Sequence, residues 1–158
     1  MSPRPFERPA TIALPETPGL PSGASLDGLW LPESGEGGAR GAAVIAAPHP
    51  QMGGSMDSPV TTELALAASD LGFVSLRFNW RGVGASAGNP SGEIADADVD
   101  YRAALSFMEE SVEGPIIGCR YLRVAIPAAR TTHVRLALYR PLLRLPPSLQ
   151  TGAPAFPA

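Results

Sequence analysis

An unbroken apolar run, Ala42 to Ala47, is the feature that most constrains the fold of this chain. It carries no alternating polar residue, which is the pattern of a strand covered on both faces in a parallel sheet. The run ends at Pro48-His49-Pro50 and opens into Gly53-Gly54, and Pro59 then marks the start of a helix. A buried strand that ends in a tight turn and leads into a helix is a common place for α/β folds to carry binding and catalytic groups.

The other elements predict an α/β domain. A strand hairpin is expected from residues 11–14 and 26–31, and two further strands at residues 73–78 and 116–118, each after a helix. The order is a β hairpin followed by β-α-β-α-β, which implies a parallel sheet with right-handed crossovers. Ligands bind such sheets at the carboxyl ends of the strands. The loops after Ala47, Phe78 and Gly118 are therefore expected to meet.

Two helices are predicted between these strands. The first has Ser58 as its N-cap, Pro59 in the first position and Gly72 at its end. Its apolar residues recur three and four positions apart, which predicts one buried face: Val60, Leu64, Ala67, Ala68 and Leu71. The second helix is predicted over residues 93–112. The residues expected on or near its buried side are Val99, Ala103, Leu105 and Phe107.

The composition excludes several classes of function. A net charge of −3 does not favour a nucleic-acid binder. There is no lysine, so a nucleotide-binding P-loop is excluded. Cys119 is the single cysteine, which excludes an intramolecular disulfide and a zinc site built on cysteines. We expect no metal ion and no cofactor. No run approaches the roughly 18 apolar residues of a membrane span, so a soluble, cytoplasmic protein without membrane contact is expected.

The composition changes abruptly after Gly114. Residues 1–114 hold all fifteen acidic residues and six arginines, whereas residues 115–158 hold six arginines and no acid. We therefore divide the chain into a loose leader (residues 1–10), a partial α/β domain (residues 11–118) and an Arg/Pro-rich tail (residues 119–158). The tail is expected to be disordered or out of frame. A basic arm that binds a membrane or nucleic acid is the alternative for it, and salt-sensitive binding would support that alternative.

Two interpretations are open for the role of the turn after the central strand. Residues His49 to Gly54 could supply backbone N–H donors to an oxyanion, because Gly53 and Gly54 remove side-chain bulk where a backbone must approach a ligand. Alternatively, the turn is only a tight connection between strand and helix, in which His49 stabilises the turn and is not a base. Spacing alone does not decide between them.

Two segments of the chain resemble one branch of the α/β-hydrolase superfamily. They are P-H-P-Q-M-G-G-S-M-D-S-P-V (residues 48–60) and L-R-F-N-W-R-G-V-G-A-S-A-G (residues 76–88), followed by G-E-I-A-D (residues 92–96). The H-P-x-x-G-G and R-F-N-x-R-G-x-G-x-S patterns are similar to those of serine aminopeptidase-like and dienelactone hydrolase-like hydrolases. The resemblance covers about residues 9–118.

This resemblance implies the N-terminal portion of an α/β-hydrolase sheet and acyl transfer from an ester or amide by a Ser-His-Asp triad. The substrate would be a small acyl compound. The first loop of the family supplies an oxyanion-hole amide, which here would be Gln51 or Met52. The second loop implies structural roles, with Asn79 standing where many relatives have Asp. The residues that would tie this loop or allow its path are Asn79, Arg81, Gly82 and Gly84.

The nucleophile that the resemblance implies is missing. In the G-x-S-x-G elbow the serine lies on a strained turn directly after a strand. Here the last strand leads into G-C-R-Y-L-R-V (residues 118–124), so that Arg120 and Val124 replace glycines and Leu122 replaces the serine. No serine occurs between Ser111 and Ser148. A leucine cannot attack a carbonyl, so we expect no catalytic residue in the chain as written.

The other members of the triad are also missing from their expected places. No acid follows Glu113, and His133 comes too soon after the elbow. A reading-frame shift near residues 118–120 would account for both the lost elbow and the acid-free tail. The expected function is therefore an α/β-hydrolase family protein that is inactive as written. The alternative is a non-catalytic module that binds a small molecule or partner through the His49 and Arg81 loops, and the oligomeric state stays open.

Overall fold

The computed structural model describes residues 6–119. These residues form five strands, one short 3-10 helix and two α-helices. The strands are β1 (Arg8–Ala13), β2 (Ser25–Leu31), β3 (Ala42–Ala46), β4 (Val74–Phe78) and β5 (Ile116–Cys119). The helices are α1 (Pro59–Asp70) and α2 (Ile94–Ser111), and the 3-10 helix is Pro50–Met52.

The sheet has the order β1-β2-β4-β3-β5. Strands β1 and β2 form the predicted antiparallel hairpin, and β2 continues antiparallel onto β4. Strand β3 lies between β4 and β5 and is parallel to both, with Ala46 opposite Phe78 and Ile45 opposite Cys119. The predicted α/β class and the predicted order of elements along the chain are therefore confirmed, and the sheet is mixed because β1 and β2 run antiparallel to their neighbours. The carboxyl ends of the three parallel strands lie at one edge of the sheet.

The two helices lie on opposite faces of the sheet. Alternate residues of β3 therefore face α2 and α1. Ala42, Val44 and Ala46 join the main core with Tyr101, Ala104 and Met108 of α2. Ala43 and Ile45 belong to two smaller clusters on the α1 side. Successive side chains of a strand point to opposite faces, so a strand covered on both faces must be apolar throughout. This explains the unbroken run in β3, whose five residues are all buried.

Helix α1 begins as predicted but buries a different face. The Ser58 side chain accepts a hydrogen bond from the Thr61 N–H, Pro59 is the first residue, and Leu71 is the C-cap just before Gly72 at φ 86°. The predicted buried face is wrong for most of its residues: Val60, Leu64 and Leu71 are 44%, 41% and 56% exposed, and Ala68 is the one predicted residue that packs against the core. The helix instead buries small and hydroxyl-bearing residues, which are Thr61, Ala65 and Ser69.

Close approach to the sheet explains this inversion. The Ser69 hydroxyl donates to the Pro32 carbonyl over 2.6 Å, and the Thr61 hydroxyl donates to the Met56 carbonyl over 2.6 Å. The Ser75 hydroxyl of β4 donates to the Ala65 carbonyl of the helix. Short side chains allow the helix to lie near β4, and their hydroxyl groups are satisfied by backbone partners.

Helix α2 lies one residue inside its predicted bounds at each end, with Glu93 as N-cap and Val112 as C-cap. Its buried apolar residues are Tyr101, Ala104 and Met108. The residues predicted on or near this side, Val99, Ala103, Leu105 and Phe107, are partly buried and pack around the same core. The prediction that they lie on or near the buried side is therefore confirmed, but it missed the three residues that are fully buried. Neither helix within residues 6–119 is long and apolar enough to cross a membrane.

Two predicted boundaries need correction. Strand β1 begins at Arg8, whose backbone pairs with Trp30, so the last three residues of the expected leader (residues 1–10) belong to the sheet. Cys119, assigned to the tail, is the last residue of β5. The rest of that tail lies outside the described residues, and so do Arg120, Leu122, Val124 and His133.

Candidate functional site

The candidate site lies where β3 and β4 leave the sheet. Two segments meet there: the His49 turn (residues 48–55), between β3 and α1, and the β4 loop (residues 79–92), between β4 and α2. Because β3 and β4 are parallel neighbours, these two segments start side by side. This placement follows the rule that ligands bind parallel sheets at the carboxyl ends of the strands.

Backbone hydrogen bonds close the His49 turn on itself. The His49 Nδ1 atom accepts from the Gln51 N–H over 3.2 Å. The His49 carbonyl accepts from the Met52 and Gly54 N–H groups over 3.1 and 3.2 Å. Both N–H groups that the resemblance proposes as oxyanion donors, those of Gln51 and Met52, are thus directed to acceptors inside the turn. An oxyanion would have to replace the His49 acceptors to bind them.

The glycine pair shapes the turn for two different reasons. Gly53 caps the 3-10 helix at φ 75°, a left-handed conformation that L side chains rarely adopt. A Cβ atom on Gly54 would lie 2.4 Å from the Pro48 carbonyl oxygen, so this position has no room for a side chain. The side chain of Met52 is 70% exposed, so the turn presents its middle to solvent.

Three side chains from β4 and its exit bind the two ends of this turn. The Trp80 Nε1–H donates to the Ala47 carbonyl over 2.8 Å, at the start of the turn. The Met56 N–H, at its end, donates to Asn79 Oδ1 over 2.7 Å. The Met56 carbonyl accepts from Arg77 Nη1 over 2.6 Å. All of these groups are buried, so the bonds are shielded from water.

The β4 loop is in turn bonded to β2. The Asn79 Nδ2 atom donates to Asp27 Oδ2 over 3.2 Å, and the Asn79 N–H donates to the Asp27 carbonyl over 2.9 Å. The Ser86 hydroxyl donates to the Asn79 carbonyl and accepts from the Asp27 N–H. Asn79 and Ser86 are both buried. These contacts give Asn79 a structural role in the loop.

Arg81 joins the same loop to α2. Its guanidinium makes a two-pronged contact with Asp100, from Nε over 3.0 Å and from Nη2 over 2.8 Å, both to Oδ1. The Arg81 N–H donates to Asp100 Oδ2, and Nη1 pairs with Asp96 over 2.6 Å. Asp100 is only 1% exposed, so its charge depends on Arg81 for compensation. The Ser91 hydroxyl donates to the other oxygen of Asp96.

Two further glycines allow the path of the β4 loop. Gly82 has φ 71°, and a Cβ atom there would lie 2.1 Å from the Pro90 nitrogen. Gly84 has φ 59°, and a Cβ atom there would lie 2.6 Å from the Asn79 side-chain nitrogen. Both conditions exclude any larger residue without rearrangement of the loop.

Between the turn and the loop lies a cavity of about 10 Å³. Its lining includes His49, Trp80, Arg81, Ser91 and Asp96. That volume is about enough for one water molecule. Within residues 6–119, no three His, Cys, Asp or Glu side chains converge on a point that could hold a metal ion.

Cys119 ends β5 at the same edge of the sheet. Its side chain packs against both small clusters on the α1 side. Burial raises the pKa of the Cys119 thiol above its ordinary value. A protonated thiol is a poor nucleophile, so this side chain behaves as part of the core.

Sequence reasoning missed three charged residues of this region, although two had a readable signal. Arg77 is the one charged residue of β4, whose five residues are all buried, and a buried charge requires partners. Asp100 lies four residues after Asp96, on the same face of α2, so one arginine can reach both. Asp27 gave no such signal, because its role depends on the pairing of β2 with β4.

Comparison with known proteins gives the following likenesses. An α/β serine hydrolase homologue from Coxiella burnetii is 28% identical over 72% of this chain and 51% of its own, with a TM-score of 0.62. A member of the α/β serine hydrolases from Xanthomonas campestris, described as lacking a lid, is 27% identical over 87% of this chain and 60% of its own, with a TM-score of 0.60. The chain therefore spans about half to three fifths of the length of these proteins.

More distant likenesses concern the fold alone. A cold-adapted esterase from an Arctic intertidal metagenomic library is 14% identical over 84% of this chain and 54% of its own, with a TM-score of 0.55. No family model matches the chain, and no curated protein matches it.

Proposed function

We propose that this chain, a relative of the α/β-hydrolase superfamily, carries the oxyanion side of an acyl-hydrolase active site and lacks the nucleophile that hydrolysis requires. The substrate class is a small acyl ester or amide. We place the protein in the cytoplasm. The family resemblance supports the substrate class, and the composition of the chain supports the location.

The observation that carries the proposal is the position of the His49 turn. It follows the central strand β3, and side chains from the neighbouring strand and its exit bind both of its ends. Its Gln51 and Met52 N–H groups lie near the carboxyl edge of the sheet and would exchange their His49 acceptors for an oxyanion. Stabilisation of a developing oxyanion needs backbone donors held in a fixed position by the surrounding protein. The two serine hydrolases with 28% and 27% identity support the same assignment.

The absence of activity rests on the residues available to attack a carbonyl. Near the site, the Ser86 hydroxyl is buried and engaged with the Asn79 carbonyl and the Asp27 N–H. The Ser91 hydroxyl donates to Asp96, and His49 Nδ1 accepts from a backbone N–H of its own turn. None of these described groups forms a serine–histidine pair of the kind that activates a nucleophile. The sequence after β5 places Leu122 where the elbow would have serine.

We further propose that the reading frame changes near residues 118–120. The fifteen acids of the chain all precede residue 114, and six arginines follow it. The test is to resequence the locus and translate the other two frames downstream of Gly118. A segment like G-Y-S-x-G in one of them is the expected result. The absence of any such segment in both frames would sink the frame-shift proposal and leave the loss of the elbow as a genuine property of the protein.

Labelling with a fluorophosphonate probe tests the loss of activity directly. The chain as written is expected to remain unlabelled, and a frame-corrected chain is expected to be labelled at its elbow serine. In the frame-corrected chain, replacing that serine by alanine is the matched control and should abolish labelling. Labelling of the chain as written would contradict the proposal. If neither chain is labelled, the alternative of a non-catalytic module that binds through the His49 and Arg81 loops is favoured.

A further inference from the structure

The His49 turn contributes no residue to the hydrophobic clusters, although its Gln51 side chain lies next to Gly92 of the β4 loop. None of the three residues of its 3-10 helix is buried, and its internal hydrogen bonds join only residues within the turn. Such bonds fix the shape of the turn but not its position relative to the sheet. The hydrogen bonds that attach the turn to β4 and its exit are made instead by the residues that enter and leave it, which are Ala47 and Met56.

Consecutive residues at the exit of β4 bind these two positions. Along an extended segment, side chains alternate between faces, so Arg77 and Asn79 project to one side while Phe78 and Trp80 project to the other. The first pair binds the two backbone groups of Met56, with Asn79 on its N–H and Arg77 on its carbonyl. On the opposite side, Trp80 packs edge-on against Phe78, with ring centroids 5.1 Å apart, and its indole binds the Ala47 carbonyl.

We propose that Asn79 and Trp80 are positioning residues for the oxyanion donors. Neither touches the N–H groups of Gln51 or Met52. They fix where those groups lie by binding the exit and the entrance of the turn to the neighbouring strand. This role rests on the proposed function for the claim that the turn serves an oxyanion. The attachment of the turn to β4 can be measured without any catalysis.

The test is amide hydrogen exchange on the full chain, resolved at residues 51–56 and at β3. Asn79→Ala removes the acceptor of the Met56 N–H, and Trp80→Phe removes the indole donor while keeping an aromatic ring against Phe78. Ser86→Ala is the matched control. It lies in the same loop, is similarly buried and loses two hydrogen bonds, but contacts neither end of the turn.

Asn79→Ala is expected to raise exchange at residues 51–56 by about tenfold relative to β3, as loss of the buried hydrogen bond to the Met56 N–H predicts for local opening of the turn. Trp80→Phe should do the same to a smaller extent, and Ser86→Ala should change both regions equally. Equal exchange changes in the turn and in β3 for both Asn79→Ala and Trp80→Phe would overturn the proposal. If Asn79→Ala does not fold, the exchange of Trp80→Phe compared with that of Ser86→Ala tests the proposal. A selective change together with an unlabelled frame-corrected chain would support the positioning and refute the hydrolase function.

Discussion

Asn79 donates a 3.2 Å hydrogen bond from its side-chain nitrogen to the carboxylate of Asp27. The oxygen of the same amide accepts from the Met56 N–H over 2.7 Å. Both partners fix the orientation of the amide, because a carboxylate can only accept here and a backbone N–H can only donate. The resemblance would allow aspartate at this position. In this chain Asp27 opposes it, since two carboxylates would then face each other.

The variant Asn79→Asp is therefore expected to lose about 1–3 kcal/mol of unfolding free energy at neutral pH. Urea denaturation at neutral pH measures this loss. The exchanged pair Asn79→Asp with Asp27→Asn should recover most of the loss, because the donor and the acceptor then change places. A double variant no more stable than Asn79→Asp would show that the Asn79–Asp27 bond is not the cause.

Replacing Arg81 should lower the free energy of unfolding far more than replacing Arg102, which forms an ion pair within α2. Arg81→Leu leaves Asp100 buried without its counter-charge and is expected to cost about 3–5 kcal/mol. Arg81→Lys should recover only part, because an ammonium cannot reproduce the two-pronged contact. The matched control is Arg102→Ala, which breaks an exposed pair with Asp98 and should change stability by less than about 1 kcal/mol. Similar losses for Arg81→Leu and Arg102→Ala in urea denaturation would contradict this account.

The buried face of α1 predicts mutational effects opposite to those that the apolar periodicity of its sequence predicts. Leu64→Gln should change stability by no more than about 0.5 kcal/mol, because Leu64 is exposed. Ala65→Leu should cost about 1–3 kcal/mol, because it adds bulk where the helix lies against β4. Thermal or urea melts of the two variants decide. A large loss from Leu64→Gln would mean that this face of α1 is covered in solution.

Cys119 should titrate and react as a buried thiol. Because burial raises its pKa, alkylation by iodoacetamide near neutral pH should be slow in the folded chain and should accelerate in urea. The folded protein binds this proton more tightly than the unfolded chain does, so the stabilising contribution is present below the unfolded pKa and is lost as pH rises through the folded pKa. Stability should therefore fall above about pH 8.5 in the wild type and less so in Cys119→Ala. Equal pH profiles for the two proteins would contradict this prediction.

Two of the positive-φ glycines of the site, Gly53 and Gly82, allow a comparison at similar backbone angles. A Cβ atom on Gly53 would meet open space, whereas on Gly82 it would lie 2.1 Å from the Pro90 nitrogen. Gly53→Ala should cost about 1 kcal/mol from the left-handed conformation alone. Gly82→Ala should cost at least about 2 kcal/mol more, because the loop backbone must also move. Chemical denaturation of both variants gives the difference, and equal losses would mean that the loop yields without strain.

What could be predicted from the sequence was local. The cap at Ser58, the proline start of α1 and the buried run of β3 depend on neighbouring residues and were predicted correctly. The face of α1 was not, because spacing shows which residues share a side and does not show which side meets the sheet. Thr61 and Ser69 lie on the buried side because their hydroxyl groups donate to backbone carbonyls there.

The candidate site could likewise be predicted only in part from the sequence. The glycines and the motif residues Asn79 and Arg81 were visible in the sequence, but their partners were not all found. Asp100 joins Arg81 only because α2 packs over the β4 loop, and Asp27 joins Asn79 only because β2 lies beside β4. The closure of the Gln51 and Met52 N–H groups onto His49 was not predictable either, since the same sequence could present them outwards.

The bonds between β2 and the β4 loop carry a consequence for the order of folding. Asp27 and Asn79 are separated by 52 residues along the chain, and Asp27 and Ser86 by 59. Contacts this distant form late, because a long loop must close before they contribute any stability. A refolding chain should thus complete α1 and α2 well before β2 binds the β4 loop. The contact between β2 and the β4 loop is then the last part of the site to form.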